Sequence, residues 1–513
     1  MDVSTLRHRF ALQRARLLRF VVPVLLLALA LTGTGCVTTG TNPISGNTRA
    51  YGYTWEEEVK LGREADQQIQ QQYGVVDDEA LQQYVDEVAQ NVLVESHMRR
   101  ESTPAAFRNT EFHFRVLDSP VINAFALPGG YVYVTRGLLA HLNNEAQLAV
   151  VLGHEIGHVA GRHASKQAAK RQIMQGVLIS GAIAGQAAFG GEVGENVLGL
   201  GGTAAQLLSL SYSRDNERES DRLGVEYATL AGYAAAEGSD FFRSLKRKSA
   251  QSGQTLPTWQ STHPDPGRRE DTVMDLAQKW DEKVPGEQTV RDQDAYFAAI
   301  EDVVLGQNPR QGFTENDVFY HPDLKFRFPT PAGWTVQNEA SQVAMIEPNQ
   351  EAYVVFRISS ASTPDQAASE FTAQEGVTVV EQSRETVNGR SARRVLAEGQ
   401  AQQGQRLRIL SYFVAYNNRV YQFQGLTTAE KYGTYQSAFQ RTMTGFDELR
   451  DPDRLNVQPT RLAIRAAQRT APFRTFVNEG ALPDDISATD LAIMNQLELD
   501  TTVEAGRPLK LPN

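Results

Sequence analysis

Hydrophobic and polar positions alternate along this 513-residue chain in rhythms that change from one segment to the next. Residues 55–72 and 79–96 carry apolar side chains at helical spacing, with Tyr73-Gly74 between them as a break. Phe112, Phe114 and Val116 alternate with polar residues, and Tyr131 and Tyr133 alternate with valines, which predicts two strands. Pro128-Gly129-Gly130 turns the chain into the second of them. Residues 144–162 read as a further helix, starting after an Asn pair able to cap it. Residues 271–305 continue as a helical tail, and 306–313, containing Asn308-Pro309, mark a boundary.

Beyond that boundary strand-like runs recur at 352–359, 406–416 and 419–425, with amphipathic helices near 364–374 and 428–444. This half contains no His-rich or paired catalytic pattern, so a scaffold or partner-binding role is its plainer reading. The expected fold class is α+β: a mainly helical domain with a small edge-strand sheet at 51–305, an α+β module at 314–450 and a small module at 455–513.

The segment 175–210 is rich in Gly, Ala and Leu. Its apolar run, 176–189, spans 14 residues and includes Ser180 and Gln186, too short and too polar to cross a bilayer. A buried or site-covering helical pair, a mobile lid and a membrane contact are the three readings it allows.

The start of the chain obeys a different logic. Five arginines between Arg7 and Arg19 stand against one acid, Asp2, and precede an apolar run of 12 residues, 20–31. That run is shorter than the roughly 20 residues that span a bilayer and fits an export signal. Thr32-Gly33-Thr34-Gly35 then leads to Cys36, the only cysteine, which excludes an intrachain disulfide. A lone cysteine after an export segment resembles the acylated first residue of a bacterial lipoprotein, although Gly33 stands where such boxes favour leucine. Val37 in place of Asp favours the outer membrane. Residues 37–50, rich in Thr, Gly and Asn, read as a flexible tether.

Net charge is −11, with 41% hydrophobic and 22% charged residues, ordinary for a globular protein able to bury a core. No cluster of lysine and arginine marks a nucleic-acid face.

Chemistry concentrates in 150–163, VVLGHEIGHVAGRH. His154 and His158 are four residues apart, so on a helix they project from one face and can grip a single cation. Zn²⁺ accepts neutral imidazole nitrogens, keeps an open position for water and lowers that water's pKa to roughly 7. Glu155 can then take the water's proton and pass it to a leaving amine. Gly157, costly within a helix, is explained if another backbone or the metal comes close.

Three residues compete as third ligand. His163 falls one position short of the metzincin spacing and otherwise reads as a helix C-terminal histidine. Glu217, in 213–221, SRDNERESD, shares a helical face with Asp221, so Glu217 can ligate while Asp221 orients a ligating histidine. His263, in THPDPGRRE, is the third.

The ordered motifs NAFALPGGYVYVTRGLL, NEAQLAVVLGHEIGHVAGRH, SRDNERESD and HPDPGRR resemble the integral and periplasmic zinc metallopeptidases of the HtpX, CAAX prenyl protease and BepA type, over about residues 55–269. The resemblance implies a gluzincin-like endopeptidase binding one Zn²⁺ through His154, His158 and Glu217, with Glu155 as catalytic base. It carries over to His263 as a residue that reaches the metal or its water and to Arg269 as the family's arginine. In such peptidases a strand commonly presents its edge to substrate, which makes Asn123, Ala124, Tyr131 and Val132 the candidate substrate-binding positions.

Residues 497–512, LELDTTVEAGRPLKLP, follow a helical stretch and resemble a degenerate LysM-type module, which implies glycan binding and a peptidoglycan partner. Three functions compete: a zinc endopeptidase acting on exported or misassembled envelope proteins, a periplasmic chaperone or assembly factor with a mostly shut metal site, and a cell-wall-binding lipoprotein. The expected location is the periplasm, anchored to the outer membrane through Cys36, with outer-membrane assembly machinery as a candidate partner.

Overall fold

The computed structural model describes residues 37–178, 207, 212–252, 263, 268–284, 290–400, 404–483 and 485–513. Cys36, the export segment and nearly all of 175–210 lie outside the described residues. Among the described residues no helix is long and apolar enough to cross a membrane.

The first surprise is at 37–50. Instead of a tether, β1 (Thr38–Thr41) and β2 (Thr48–Tyr51) form an antiparallel hairpin. It is pinned to the peptide chain far downstream: Gly52 N donates to Ser165 O at 2.9 Å, and the Arg162 guanidinium lies 3.6 Å from the centroid of the buried Tyr51 ring. Glycines and threonines gave no apolar run to signal this, because the anchoring comes from a cation–π contact with a distant arginine.

Helix α1 (Trp55–Tyr73) begins at a Thr54–Glu57 capping box and ends at Gly74, and α2 (Glu79–Val94) is capped by Asp78. Between them and the next helix lies a three-stranded sheet of β3 (His113–Leu117), β4 (Ala124–Leu127) and β5 (Tyr131–Thr135), in the order β3-β5-β4. β5 runs parallel to β3 and antiparallel to β4. Helix α3 (Glu145–Ala160) is capped by Asn144, whose side chain accepts from Gln147 N, and every residue from Ala146 to Ala160 is buried. Against it pack α2 and α5 (Arg214–Leu230). α4 (His163–Leu178) follows α3 after a left-handed Arg162, φ 52°. α6 (Gly238–Ser252), α7 (Arg269–Asp281) and α8 (Gln293–Ile300) complete the helical domain, and α7 and α8 fall in the stretch expected as a helical tail.

The following module is a seven-stranded antiparallel sheet of β9 (Thr335–Asn338), β10 (Gln342–Ile346), β11 (Ala352–Ser359), β12 (Thr378–Val387), β13 (Arg390–Gln400), β14 (Arg406–Tyr416) and β15 (Arg419–Thr428), ordered β12-β13-β14-β15-β11-β10-β9. Beside it lies a four-stranded sheet of β6 (Phe313–Glu315), β7 (Val318–His321), β8 (Phe326–Pro329) and β16 (Asp447–Glu448), ordered β16-β8-β7-β6. Strands β11 (Ala352–Ser359) and β14 (Arg406–Tyr416) have the predicted limits. Helix α9 (Pro364–Thr372) packs Phe371 over one face, while α10 (Tyr432–Thr444) packs Phe439 and Met443 with Phe326, Phe328 and Phe356 on the other.

The segment at 455–513 pairs β17 (Leu462–Ala466) with β20 (Pro508–Pro512), with α11 (Ala488–Met494) between them in sequence. Among the described residues it has no core of its own. Leu462, Phe473, Leu491, Val503 and Leu509 belong to the same buried apolar cluster as Val151, Ile156 and Leu223 of the helical domain.

Candidate metal centre

Small residues let the two site helices meet. Gly153 and Gly157 on α3 lie against Gly224 O and the Ser220 and Leu223 backbone and stem on α5, close enough that a Cβ on Gly157 would stand 3.2 Å from Leu223 Cβ. The expected close backbone at Gly157 is thus α5 itself.

That approach brings Glu217 to the two histidines. His154 Nε2 and His158 Nε2 are 2.9 Å apart; Glu217 places Oε2 3.5 Å from the former and Oε1 3.4 Å from the latter. His263 Nδ1 closes the cluster, 3.3 Å from His154 Nε2 and 3.2 Å from Glu217 Oε2. All four residues are buried, with one donor atom of each within 4.8 Å of the others. Four donors held about 2.0–2.1 Å from a tetrahedral zinc lie about 3.3 Å from one another. The donor set and its closest spacings therefore fit zinc, with His263 Nδ1 available as a fourth donor.

Electrostatics favour a cation. Burial alone would push the Glu217 carboxyl up, but His263 and His158 beside it outweigh burial and hold it well below the usual carboxylate range. Glu155, adjacent in sequence and fully buried, is pushed up by that burial. Neither of its oxygens has a hydrogen-bond partner among the described residues, and the nearest cationic candidate, His263 Nε2, is 3.5 Å away. A buried carboxylate without a donor is costly unless a ligand completes it.

The histidines are oriented from behind. Asp221 Oδ1 lies 2.9 Å from His154 Nδ1, so with Nε2 aimed at the cluster, Nδ1–H donates to Asp221. Arg269 donates to both Asp221 oxygens and spreads over the Phe242 ring at 4.4 Å; burial works against the charge of Asp221, and Arg269 outweighs it. Arg269 thus holds Asp221 and also reaches the cluster, with Nη2 3.2 Å from His154 Nε2 and Nη1 3.6 Å from Glu217 Oε2.

His163, which the sequence places at a helix C-terminus, instead opens α4, fully buried. Its Nδ1 is 3.0 Å from His158 Nδ1 and its Nε2 3.0 Å from Glu219 Oε2. With His158 Nε2 aimed at the cluster, a relay follows in which His158 Nδ1–H donates to His163 and His163 Nε2–H donates to Glu219. The histidine five residues past His158 was the available signal, but only the turn at Arg162 folds it back.

The sheet corrects the substrate-binding expectation in part. β5 is hydrogen-bonded on both sides, so Tyr131 and Val132 have no free backbone edge to offer. The outer strands are β3 and β4: Ala124 lies in β4 and Asn123 directly precedes it. Parallel pairing of β3 with β5, a non-local event, decided which strand is central.

Two helices that deliver His, His and Glu donors, a neighbouring unpartnered carboxylate and a short edge strand define a zinc metallopeptidase centre. Residues 82–276 match the model of Peptidase family M48, a stretch that contains all four members of the His154, His158, Glu217 and His263 cluster. The chain is 27% identical over 291 residues to the beta-barrel assembly-enhancing protease of Yersinia pestis, covering 55% of this chain and 57% of that protein. It is 28% identical over 224 residues to the beta-barrel assembly-enhancing protease of Escherichia coli (strain K12), 42% of each. With the mitochondrial metalloendopeptidase OMA1 of Bos taurus it shares 32% identity over 163 residues, 30% of each. The chain thus spans between about a third and somewhat over half of the length of these relatives. Among solved structures, cyanobacterial PsbP from Synechocystis aligns with a TM-score of 0.22 at 14% identity, over 26% of this chain and 91% of that one, too slight a likeness to bear on function.

Proposed function

We propose that this protein is a zinc metalloendopeptidase that hydrolyses peptide bonds in exported or misassembled cell-envelope proteins, as part of outer-membrane protein quality control. The observation that carries the reading is the buried cluster of His154, His158, Glu217 and His263 donors beside the unpartnered carboxylate of Glu155. The quality-control context is supported by relatives named as beta-barrel assembly-enhancing proteases.

His154, His158 and Glu217 would hold the metal, and His263 Nδ1, placed among the same donors, would be the further residue able to reach it. When bound, zinc supplies Lewis acidity for carbonyl polarisation and for acidifying water. Glu155 accepts the proton of the attacking water at a carboxylate oxygen and returns it to the leaving amine. Asp221 and His163 fix the two imidazoles through their Nδ1 atoms, and Arg269 keeps Asp221 ionised. The backbone of Asn123 and Ala124 lies where an extended substrate would run along β4.

The position of His263 Nδ1 favours a second reading as well, in which the protein works mainly as a periplasmic chaperone or assembly factor and cleaves only after His263 withdraws. Export, lipidation at Cys36, outer-membrane anchoring and contact with assembly machinery are proposed on the basic and apolar start of the chain. Peptidoglycan contact at 455–513 is proposed on its strand–helix–strand order alone.

The test is Glu155→Gln. The variant is expected to keep one zinc per chain, measured by elemental analysis, and to cleave an unfolded protein at least about 100-fold more slowly. Parent-like cleavage by this variant would remove Glu155 from the reaction.

A further inference from the structure

The outward face of β4 is already engaged. Asn123 O turns towards β5 and accepts Thr135 N at 3.0 Å, so along this strand the carbonyls of Ala124 and Ala126 face the opposite way. Both meet side chains from outside the sheet. His263 Nε2 is 3.3 Å from Ala124 O, and Tyr212 Oη donates to Ala126 O at 3.3 Å. Carbonyls two residues apart on a strand repeat at about 6.8 Å, the interval at which an added extended peptide presents its own N–H donors. The two side chains thus take the hydrogen-bonding positions that a substrate backbone needs.

Tyr212 is held there from a second side. Its ring stacks on His158 with centroids 4.0 Å apart and planes 27° apart, and it packs in an apolar cluster with Phe125, Leu127 and Ala164. A single side chain therefore bridges a metal-ligand face and the strand on which substrate would lie.

We infer that Tyr212 and His263 close the β4 edge in place of a substrate backbone, and that Tyr212 is the positioning residue that must leave Ala126 before an extended polypeptide can pair there. The inference deepens the metallopeptidase reading and rests on it for the meaning of the edge. His263 is a poor probe of the closure, since it also contributes a donor to the metal cluster; Tyr212 contributes none.

The experiment uses the zinc-loaded full chain and fluorescently labelled, denatured casein. Tyr212→Phe keeps the stacked ring and removes only the hydroxyl. It is expected to lower KM by about 2–10-fold, the range set by one net hydrogen bond, with kcat within about twofold of the parent and zinc content unchanged. Tyr212→Leu, which also removes the stack, is expected to lower KM at least as far. The same substitutions in the Glu155→Gln background should tighten casein binding, read by fluorescence anisotropy, by the same factor. Unchanged or weaker binding there overturns the closure, whatever the rates. Absence of Glu155-dependent cleavage in parent and variants alike, with binding still tightened, overturns the peptidase reading and leaves the closed edge standing.

Discussion

Gly153 on α3 and Gly224 on α5 face each other with no room for a methyl group: a Cβ on Gly153 would stand 2.9 Å from Gly224 O, and one on Gly224 would stand 2.8 Å from His154 N. In both cases the obstacle is backbone, which cannot rotate away. The helix that carries Glu217 is therefore set against the helix that carries His154 and His158 by the absence of side chains.

Gly224→Ala is accordingly expected to push α5 outward, weaken zinc binding at least about tenfold and lower stability by about 1–3 kcal/mol, as overpacking of a close contact does. A chelator-competition titration reads the first effect and thermal unfolding the second. A Gly224→Ala variant with the parent's zinc affinity would show that this contact does not set the spacing of the ligands.

His163 acts on the centre without touching it, through His158 Nδ1 on one side and Glu219 on the other. Partners of this kind commonly tune metal affinity by 10–100-fold. His163→Ala is expected to lower zinc affinity by about that factor while leaving the parent's turnover at saturating zinc largely intact. Loss of turnover with unaltered affinity would contradict an orienting role.

How far the sequence reached follows from which interactions are local. Helical spacing marks 55–72 against an observed Trp55–Tyr73, and strand-like runs mark β11 and β14, because these patterns lie within single elements. The pairing of His154 with His158 was legible for the same reason. The hairpin of β12 (Thr378–Val387) and β13 (Arg390–Gln400) was missed: β12 is mostly exposed and lacks an apolar run. Its Asn388-Gly389 turn, with φ 46° and 80°, was the readable signal. The place of β5 at the sheet's centre and the engagement of the β4 edge depend on parallel pairing and on residues up to 139 positions apart, which no window of sequence contains.

His97 offers a pH-dependence outside the metal centre. It is buried, with Nδ1 2.8 Å from Tyr227 Oη and Nε2 2.8 Å from Arg100 Nη1, and Arg100 in turn pairs with Glu226. Burial, followed by the Arg100 charge, lowers its pKa from 6.5 to about 4. Between those values the unfolded chain binds more protons than the folded one, so this contribution to stability is full above about pH 6.5 and is lost progressively as pH falls towards 4. Burial also lowers His141 to about 3 and His321 to about 4, with the same sign. The unfolding temperature at saturating zinc is expected to drop between pH 7 and pH 5, and His97→Gln to make that drop shallower. Parallel profiles for parent and variant would exclude His97 as a contributor.

Lys510 ties the C-terminal segment to the metal helix. Its buried Nζ donates to Ala140 O at 2.7 Å and Leu142 O at 2.8 Å, two carbonyls just before the Asn144 cap of α3. Gln496 bonds to Gln147 nearby, and Arg247 donates to Leu497 O. Together with the shared apolar cluster, these contacts make the segment part of the same cooperative unit as the peptidase helices. Lys510→Met keeps the stem and removes the donor, leaving buried carbonyls unpaired at a cost of about 1–3 kcal/mol each. Calorimetry should find one transition for the helical domain and the C-terminal segment together, moved several degrees lower by Lys510→Met. If the variant instead lowers a separate small transition while the main one stays in place, residues 455–513 fold as an independent module and the integration argued from their packing fails.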